Sequence, residues 1–238
     1  VTKPARRKLP FWASVGLNLL VSLAVVAVLQ GLVAKIYRVP SGSMEQTLQG
    51  SQSGGDRILA NRLAYLGEGP RPQDVAVFAK PPSWQGESPA SAVGGLSAWI
   101  RTFGDITGIG PSNEQYMVKR VIAVGDQTIS CCGTDGKVRV DGSPLEEPYI
   151  YRDFAFEDGS LDCSTAMPSA RCFAEFTVPK GQLVVMGDHR SNSSDSVGLC
   201  RMQPASAAAG CLRTVDVTAV IGKVNGIIWP LDRISSVE

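Results

Sequence analysis

The sequence predicts a mostly β protein carried on one N-terminal transmembrane helix. Three observations predict it. Residues 10–34 (PFWASVGLNLLVSLAVVAVLQGLVA) contain no charged side chain. Downstream, short segments rich in β-branched and aromatic residues recur, each bounded by Gly, Pro, Asp or Asn. Neither an internal repeat nor a long amphipathic pattern competes with them. With 238 residues, 44% hydrophobic and 19% charged, the chain can bury one large core, with or without a smaller inserted domain.

The apolar stretch comes first. At roughly 1.5 Å per residue it is long enough to cross a ~30 Å hydrocarbon core with some tilt. Asn18 and Gln30 are its strongly polar interruptions, and Trp12 suits an interfacial anchor. Lys3, Arg6, Arg7 and Lys8 precede it; Lys35 and Arg38 follow. The positive-inside rule therefore predicts a cytoplasmic N-terminus with the remainder outside. A cleavable leader would have a shorter apolar core, ~7–15 residues, ending in small residues. This one runs on into KIYRVPSG, which favours a retained anchor.

The β segments follow: RILANRLAYL, DVAVFAK, YMVKRVIAV, QTISC, KVRVDG, AEFTVP, QLVVMGD and AVIGKVNGIIWP, with VDGSPL as a turn. Residues 81–111 are rich in Gly, Pro and Ser and read as a long excursion, as do residues 157–171. The net charge of +1 offers no nucleic-acid footprint. One histidine and six cysteines without a C-x-x-C spacing do not make an ordinary zinc site, so no metal is expected. An even number of cysteines suits disulfides in an oxidising compartment. Cys163–Cys172 and Cys200–Cys211 are the local pairings. A Cys131–Cys132 bridge between neighbours is expected to be strained, and connectivity stays open among about 15 possibilities.

Two segments carry chemistry. In residues 39–48 (VPSGSMEQTL), Gly42 between two serines permits a tight bend beside Ser43 that can aim an amide and a hydroxyl at one point. The apolar Val39, Met44 and Leu48 need something to pack on, unlike a floppy linker. A serine nucleophile needs a proton acceptor. His189, in a polar turn after LVVM, is one candidate, although turn histidines more often serve structure. Lys119 is the other. Strand alternation in YMVKRVIAV sets Met117, Lys119 and Val121 on one face and Val118, Arg120 and Ile122 on the other. Desolvation of such a lysine lowers its pKa, so that it can accept a proton. The bland alternative is an edge lysine whose stem lies on apolar surface and whose head reaches water.

Together these segments resemble type I signal peptidases, the membrane-bound leader peptidases of bacteria. Residues 40–48 (PSGSMEQTL), 55–62 (GDRILANR), 116–124 (YMVKRVIAV) and 185–196 (VMGDHRSNSSDS) match the family's boxes in order, and the closing VIGKV and Trp229-Pro230 fit too. The resemblance implies an antiparallel catalytic core, residues 35–125 and 184–238, with an inserted smaller β domain at 126–183. Residues 10–34 are then the anchor and 1–9 a cytoplasmic tail. It implies Ser43 as nucleophile and Lys119 as general base, with Ser41 and the Ser43 amide at the oxyanion. Ser193 orients the lysine amine. Asp195 is a buried acid paired with a base such as Arg120. Met44, Leu48, Met117 and Val118 line a shallow pocket suited to Ala-x-Ala sites, and Val39 and Pro40 help form the groove. The implied partners are signal-peptide-bearing preproteins and the lipid bilayer of the cell membrane. No cofactor, nucleotide or nucleic acid is called for.

Two features depart from the family. Its last box usually ends Asp-Ser-Arg; here Val197 follows Ser196, so the ion pair of that Arg is lost or supplied by Arg190 or Arg201. The Gly-Asp after the lysine box, at Gly125-Asp126, is shifted by one. Rival readings are weaker. A penicillin-binding enzyme needs Ser-x-x-Lys, absent here. An ATP-dependent Ser/Lys protease needs a phosphate loop, and neither GKV segment has one. A self-cleaving repressor would bring a DNA-binding segment. The rival from another class is a catalytically impaired, membrane-anchored peptide-binding module of the same fold.

Overall fold

The computed structural model describes residues 10–51, 54–84, 95, 115–203 and 208–237. The basic cluster from Lys3 to Lys8 and most of the 81–111 stretch lie outside these residues. Helix α1 (Phe11–Leu32) runs for 22 residues with no side chain buried. At ~1.5 Å per residue it is about 33 Å long, enough for a bilayer core. The helix ends before the apolar stretch does. Arg62 N–H donates to Val33 O at 2.8 Å, and Ala34 opens strand β1 (Ala34–Arg38), paired with β2 (Arg57–Asn61). The last apolar residues and Lys35 thus belong to the sheet rather than to the anchor.

Ten further strands follow: β3 (Val75–Ala79), β4 (Tyr116–Val124), β5 (Thr128–Cys131), β6 (Val138–Val140), β7 (Ser143–Pro144), β8 (Phe173–Thr177), β9 (Gln182–Met186), β10 (Val215–Asp216), β11 (Val220–Trp229) and β12 (Ser235–Ser236). Among the described residues they form two antiparallel sheets. The larger has the order β1-β2-β11-β3-β4-β9-β10, with β12 also on β11; the smaller is β7-β6-β5-β8. The protein is mostly antiparallel β on one apolar helix, as its β-branched and aromatic segments imply. The β6–β7 connection is the predicted VDGSPL turn: Asp141 and Gly142 both have positive φ, 51° and 76°, which suits a tight hairpin. RILANRLAYL yields a strand only as far as Asn61; Leu63 N–H donates to Asn61 Oδ1, and the chain turns away.

Two parts of the core matter for the site. Ile122, Ala123, Val184, Met186 and Val197 pack with Ile129, Val138, Phe173 and Phe176, so the smaller sheet shares a core with the larger. Val39, Met44 and Leu48 pack with Val75, Val77, Val118 and Val224. The segment after β1 is therefore nailed to the sheet by apolar burial. Three disulfides close: Cys163–Cys172, Cys200–Cys211 and, against the expected strain, Cys131–Cys132. With the other four sulfurs paired locally, the neighbouring two are left to each other.

Candidate active site

Strand β4 supplies the site's floor. Tyr116–Arg120 pairs with β3, while pairing with β9 begins only at Arg120. The far edge of Tyr116–Lys119 thus has no strand partner among the described residues. The chain leaving β1 folds into a short 3₁₀ turn, Gly42–Met44, next to that edge. Met44 and Leu48 are essentially fully buried on one side of it. That anchoring turns Ser43 inward, leaving it 7% exposed.

Lys119 is 2% exposed, and its Nζ donates to Ser43 Oγ at 2.5 Å. Burial lowers the Lys119 ammonium from its usual 10.5 to about 8, against the opposing pull of Asp195 and Asp188. Ser41 Oγ lies 3.3 Å from Ser43 Oγ. Three hydroxyl and amine groups thus converge at one point from two distant parts of the chain. Val39, Pro40, Ser41, Ser43, Met44, Tyr116, Met117, Val118 and Lys119 line one small pocket of about 50 Å³ there. Leu48 is not on its wall; it lies beneath, at 0% exposure. Larger cavities of about 370 and 410 Å³ elsewhere do not reach Lys119.

The supporting acids differ from expectation. Arg120 pairs with Asp188, not Asp195: Nε donates to Oδ1 at 3.0 Å and Nη2 to Oδ2 at 2.8 Å, with side-chain exposures of 2% and 0%. The register explains it. Arg120 lies opposite Met186, and the chain continues from there through Gly187 to Asp188. The guanidinium also stacks on Tyr149, 3.9 Å from its centroid, and donates to Gln73 O. Asp195 is 1% exposed, and the arginine near it is Arg201, whose Nη2 is 3.9 Å from Oδ2. Arg190 is committed to Glu147. Val197, where the family has Arg, is an apolar core residue at 0% exposure.

Ser193 also departs from expectation. Its buried Oγ makes no hydrogen bond to Lys119 or to any other described residue. It rests against Gly187 instead, where an added Cβ would collide with both Ser193 Oγ and the Ser43 carbonyl. Gly187 is thus one of the contacts through which the last box touches the Ser43 turn. Sequence reasoning did not assign Asp188, Gly187 or Thr47 to the site. The Gly-Asp pair inside the matched block was the available signal for the first two. Nothing local marked Thr47, whose hydroxyl donates to Asp188 Oδ2 at 2.6 Å.

A buried amine on a serine hydroxyl, beside an open strand edge and a small apolar pocket, is the equipment of a serine endopeptidase. Comparison with known proteins names the family. The model of the signal peptidase, peptidase S26, family matches residues 12–229. Signal peptidase I of Mycobacterium tuberculosis (strain H37Rv) is 39% identical over 222 residues, which is 89% of this chain and 72% of that protein. The probable signal peptidase I of Mycobacterium leprae is 38% identical over 225 residues, 89% of this chain and 75% of that one. Probable signal peptidase I-1 of Synechocystis sp. is 31% identical over 178 residues, covering 75% and 69%. The chain belongs to the signal peptidase, peptidase S26, family.

Proposed function

We propose that this chain is a membrane-bound endopeptidase that removes N-terminal signal peptides from exported preproteins, cutting after small residues with Ser43 as nucleophile and neutral Lys119 as general base. The observation that carries the reading is the 2.5 Å contact between a 2%-exposed amine and the Ser43 hydroxyl. An amine that titrates at about 8 is neutral in a useful fraction near working pH, and closing substrate over it removes the remaining water.

The steps follow from the groups present. An extended substrate segment adds to the open edge of β4 and takes main-chain hydrogen bonds, which demand little of its sequence. The residue before the scissile bond enters the small pocket of about 50 Å³ walled by Val39, Met44, Met117 and Val118, which favours a small side chain there. Ser43 Oγ attacks the carbonyl as Lys119 Nζ takes its proton. The oxyanion falls to the Ser41 hydroxyl and the Ser43 amide. Lys119 then protonates the leaving amine, and water hydrolyses the acyl-enzyme. No cofactor or nucleotide enters, and the partners are preproteins and lipid.

The nucleophile follows the end of α1 by eleven residues, which keeps it near the membrane surface where a signal peptide's cut site emerges. The N-terminus is cytoplasmic and the β domain extracytoplasmic; three disulfides suit that oxidising side. Residues 126–183 are the inserted unit. Cleavage of a preprotein with an Ala-x-Ala site by the full chain in vesicles tests the reading. Ser43→Ala and Lys119→Ala are each expected to abolish cleavage in a folded protein, and full activity in either would refute it.

A further inference from the structure

We infer that His189, acting through Glu45, is a positioning residue for the nucleophile turn, an inference that rests on the Ser43/Lys119 reading above. His189 is the chain's one histidine, and in the Ser43/Lys119 reading its ring is not the base. Its Nδ1 lies 3.1 Å from Glu45 Oε2, two residues beyond the nucleophile, while Ser43 Oγ is engaged by Lys119 and Ser41. The same residue's backbone N–H donates to the Ser43 carbonyl at 3.1 Å.

The Glu45 carboxylate is folded back over the turn it follows. A Cβ added at Gly42 would lie 2.7 Å from Glu45 Oε1, and Glu45 N–H closes the turn on Gly42 O at 3.2 Å. Asp188 takes the next hold, through Thr47 Oγ1 at 2.6 Å. The dipeptide Asp188–His189 therefore grips alternate residues 43, 45 and 47. Through Arg120 it also grips the strand residue next to Lys119. Behind it, the Tyr151 ring stands edge-on to the imidazole at 5.3 Å, and Tyr151 N–H donates to Asp188 O at 3.0 Å. One short segment thus sets both halves of the reacting pair in register. The imidazole's share is a single bond to a carboxylate that only its Nδ1 can make. With Nδ1 as the donor the ring holds Glu45 in place and touches neither Ser43 Oγ nor Lys119, so the role is geometric rather than proton transfer.

Displacing a nucleophile by an ångström costs on the order of a hundredfold in rate. The test is kcat and KM for an Ala-x-Ala preprotein, with the full-length enzyme in detergent micelles. His189→Ala is expected to lower kcat by about tenfold or more and leave KM within about twofold. His189→Asn is expected to recover most of the loss, because its amide nitrogen hangs from the γ-carbon as Nδ1 does and can donate to Glu45. Glu45→Ala should match His189→Ala, and the double variant should lose no more than either single one. Should His189→Ala fail to fold, the Asn and Glu45→Ala variants carry the same test. Wild-type kcat in His189→Ala, equal loss in the Ala and Asn variants, or additive losses would each overturn the inference. Ser43→Ala is measured alongside. If it still cleaves, the Ser/Lys reading is what fails; if it is inert while His189→Ala is fully active, only the inference fails.

Discussion

Lys119 and Arg120 are neighbours in β4 and equally hidden, each 2% exposed, yet the regions around them treat a buried cation in opposite ways. On the Arg120 side the protein supplies a complete partner set: a bidentate carboxylate from Asp188, the Gln73 carbonyl and the face of Tyr149. On the Lys119 side it supplies a serine hydroxyl, and among the described residues no carboxylate forms an ion pair with the amine. Asp188 and Asp195 act on it only at longer range. Burial therefore outweighs attraction at Lys119, and its ammonium is lowered to about 8. The difference teaches what lets a buried amine shed its proton: not depth alone, but the absence of a countercharge within reach.

The comparison can be broken most directly by exchanging the two cations' chemistry. Lys119→Arg keeps a cation at that position but cannot shed its proton, since guanidinium pKa values lie above about 12. Preprotein cleavage should be abolished, as it should for Lys119→Ala, a fall of at least about 10²–10⁴-fold. An active arginine variant would mean that no neutral base is needed.

Next comes stability. Arg120→Met leaves Asp188 buried without its cation and should cost about 3–5 kcal/mol in denaturant unfolding. Lys119→Met removes an ammonium whose folded pKa lies below its unfolded one. The sign is therefore opposite. Below pH 8 the wild type carries the full penalty of the buried charge, and the variant should be more stable by up to ~3 kcal/mol. As pH rises from about 8 to 10.5 the unfolded chain still binds that proton while the fold does not, so wild-type stability recovers and the gap closes. Matching losses in the two Met variants would erase the distinction drawn here.

Smaller effects sharpen it. If its hydroxyl serves the oxyanion as proposed, Ser41→Ala should lower kcat by about 10²–10³-fold with little change in KM. The pH profile of kcat/KM should rise about tenfold per unit below a pKa near 8 and level off above it. Asp195→Asn removes one of the two acids that hold the amine's pKa up, so the acid limb of that profile should move to lower pH. An unmoved limb would show that Asp195 does not contribute to the value.

Much of this molecule was legible before folding. The uncharged stretch announced α1, and β-branched and aromatic runs bounded by turn residues announced β3, β4, β9 and β11, because each pattern reports which side chains leave water locally. Val39, Met44 and Leu48 demanded a surface to pack on, and they have one. Strand β1 was less legible, since its first residue continues the anchor's apolar run. The pattern alone gave the smaller sheet only as strands, because a hydrophobic pattern does not say which neighbour it faces; that they form a separate unit within 126–183 was implied by the family resemblance.

What the sequence determined by itself was the set of elements and the residue types at the site: a serine beside a glycine, and a lysine inside an apolar strand. Only the tertiary structure decided that these two meet across 76 residues of chain, that Asp188 rather than Asp195 takes Arg120, and that Ser193 rests on Gly187 instead of the lysine. The physical reason is that periodicity is a local signal, whereas strand order and electrostatics act through space. The sheet order β1-β2-β11-β3-β4-β9-β10 brings distant segments into contact, and it is that contact which excludes water and sets the charge on Lys119.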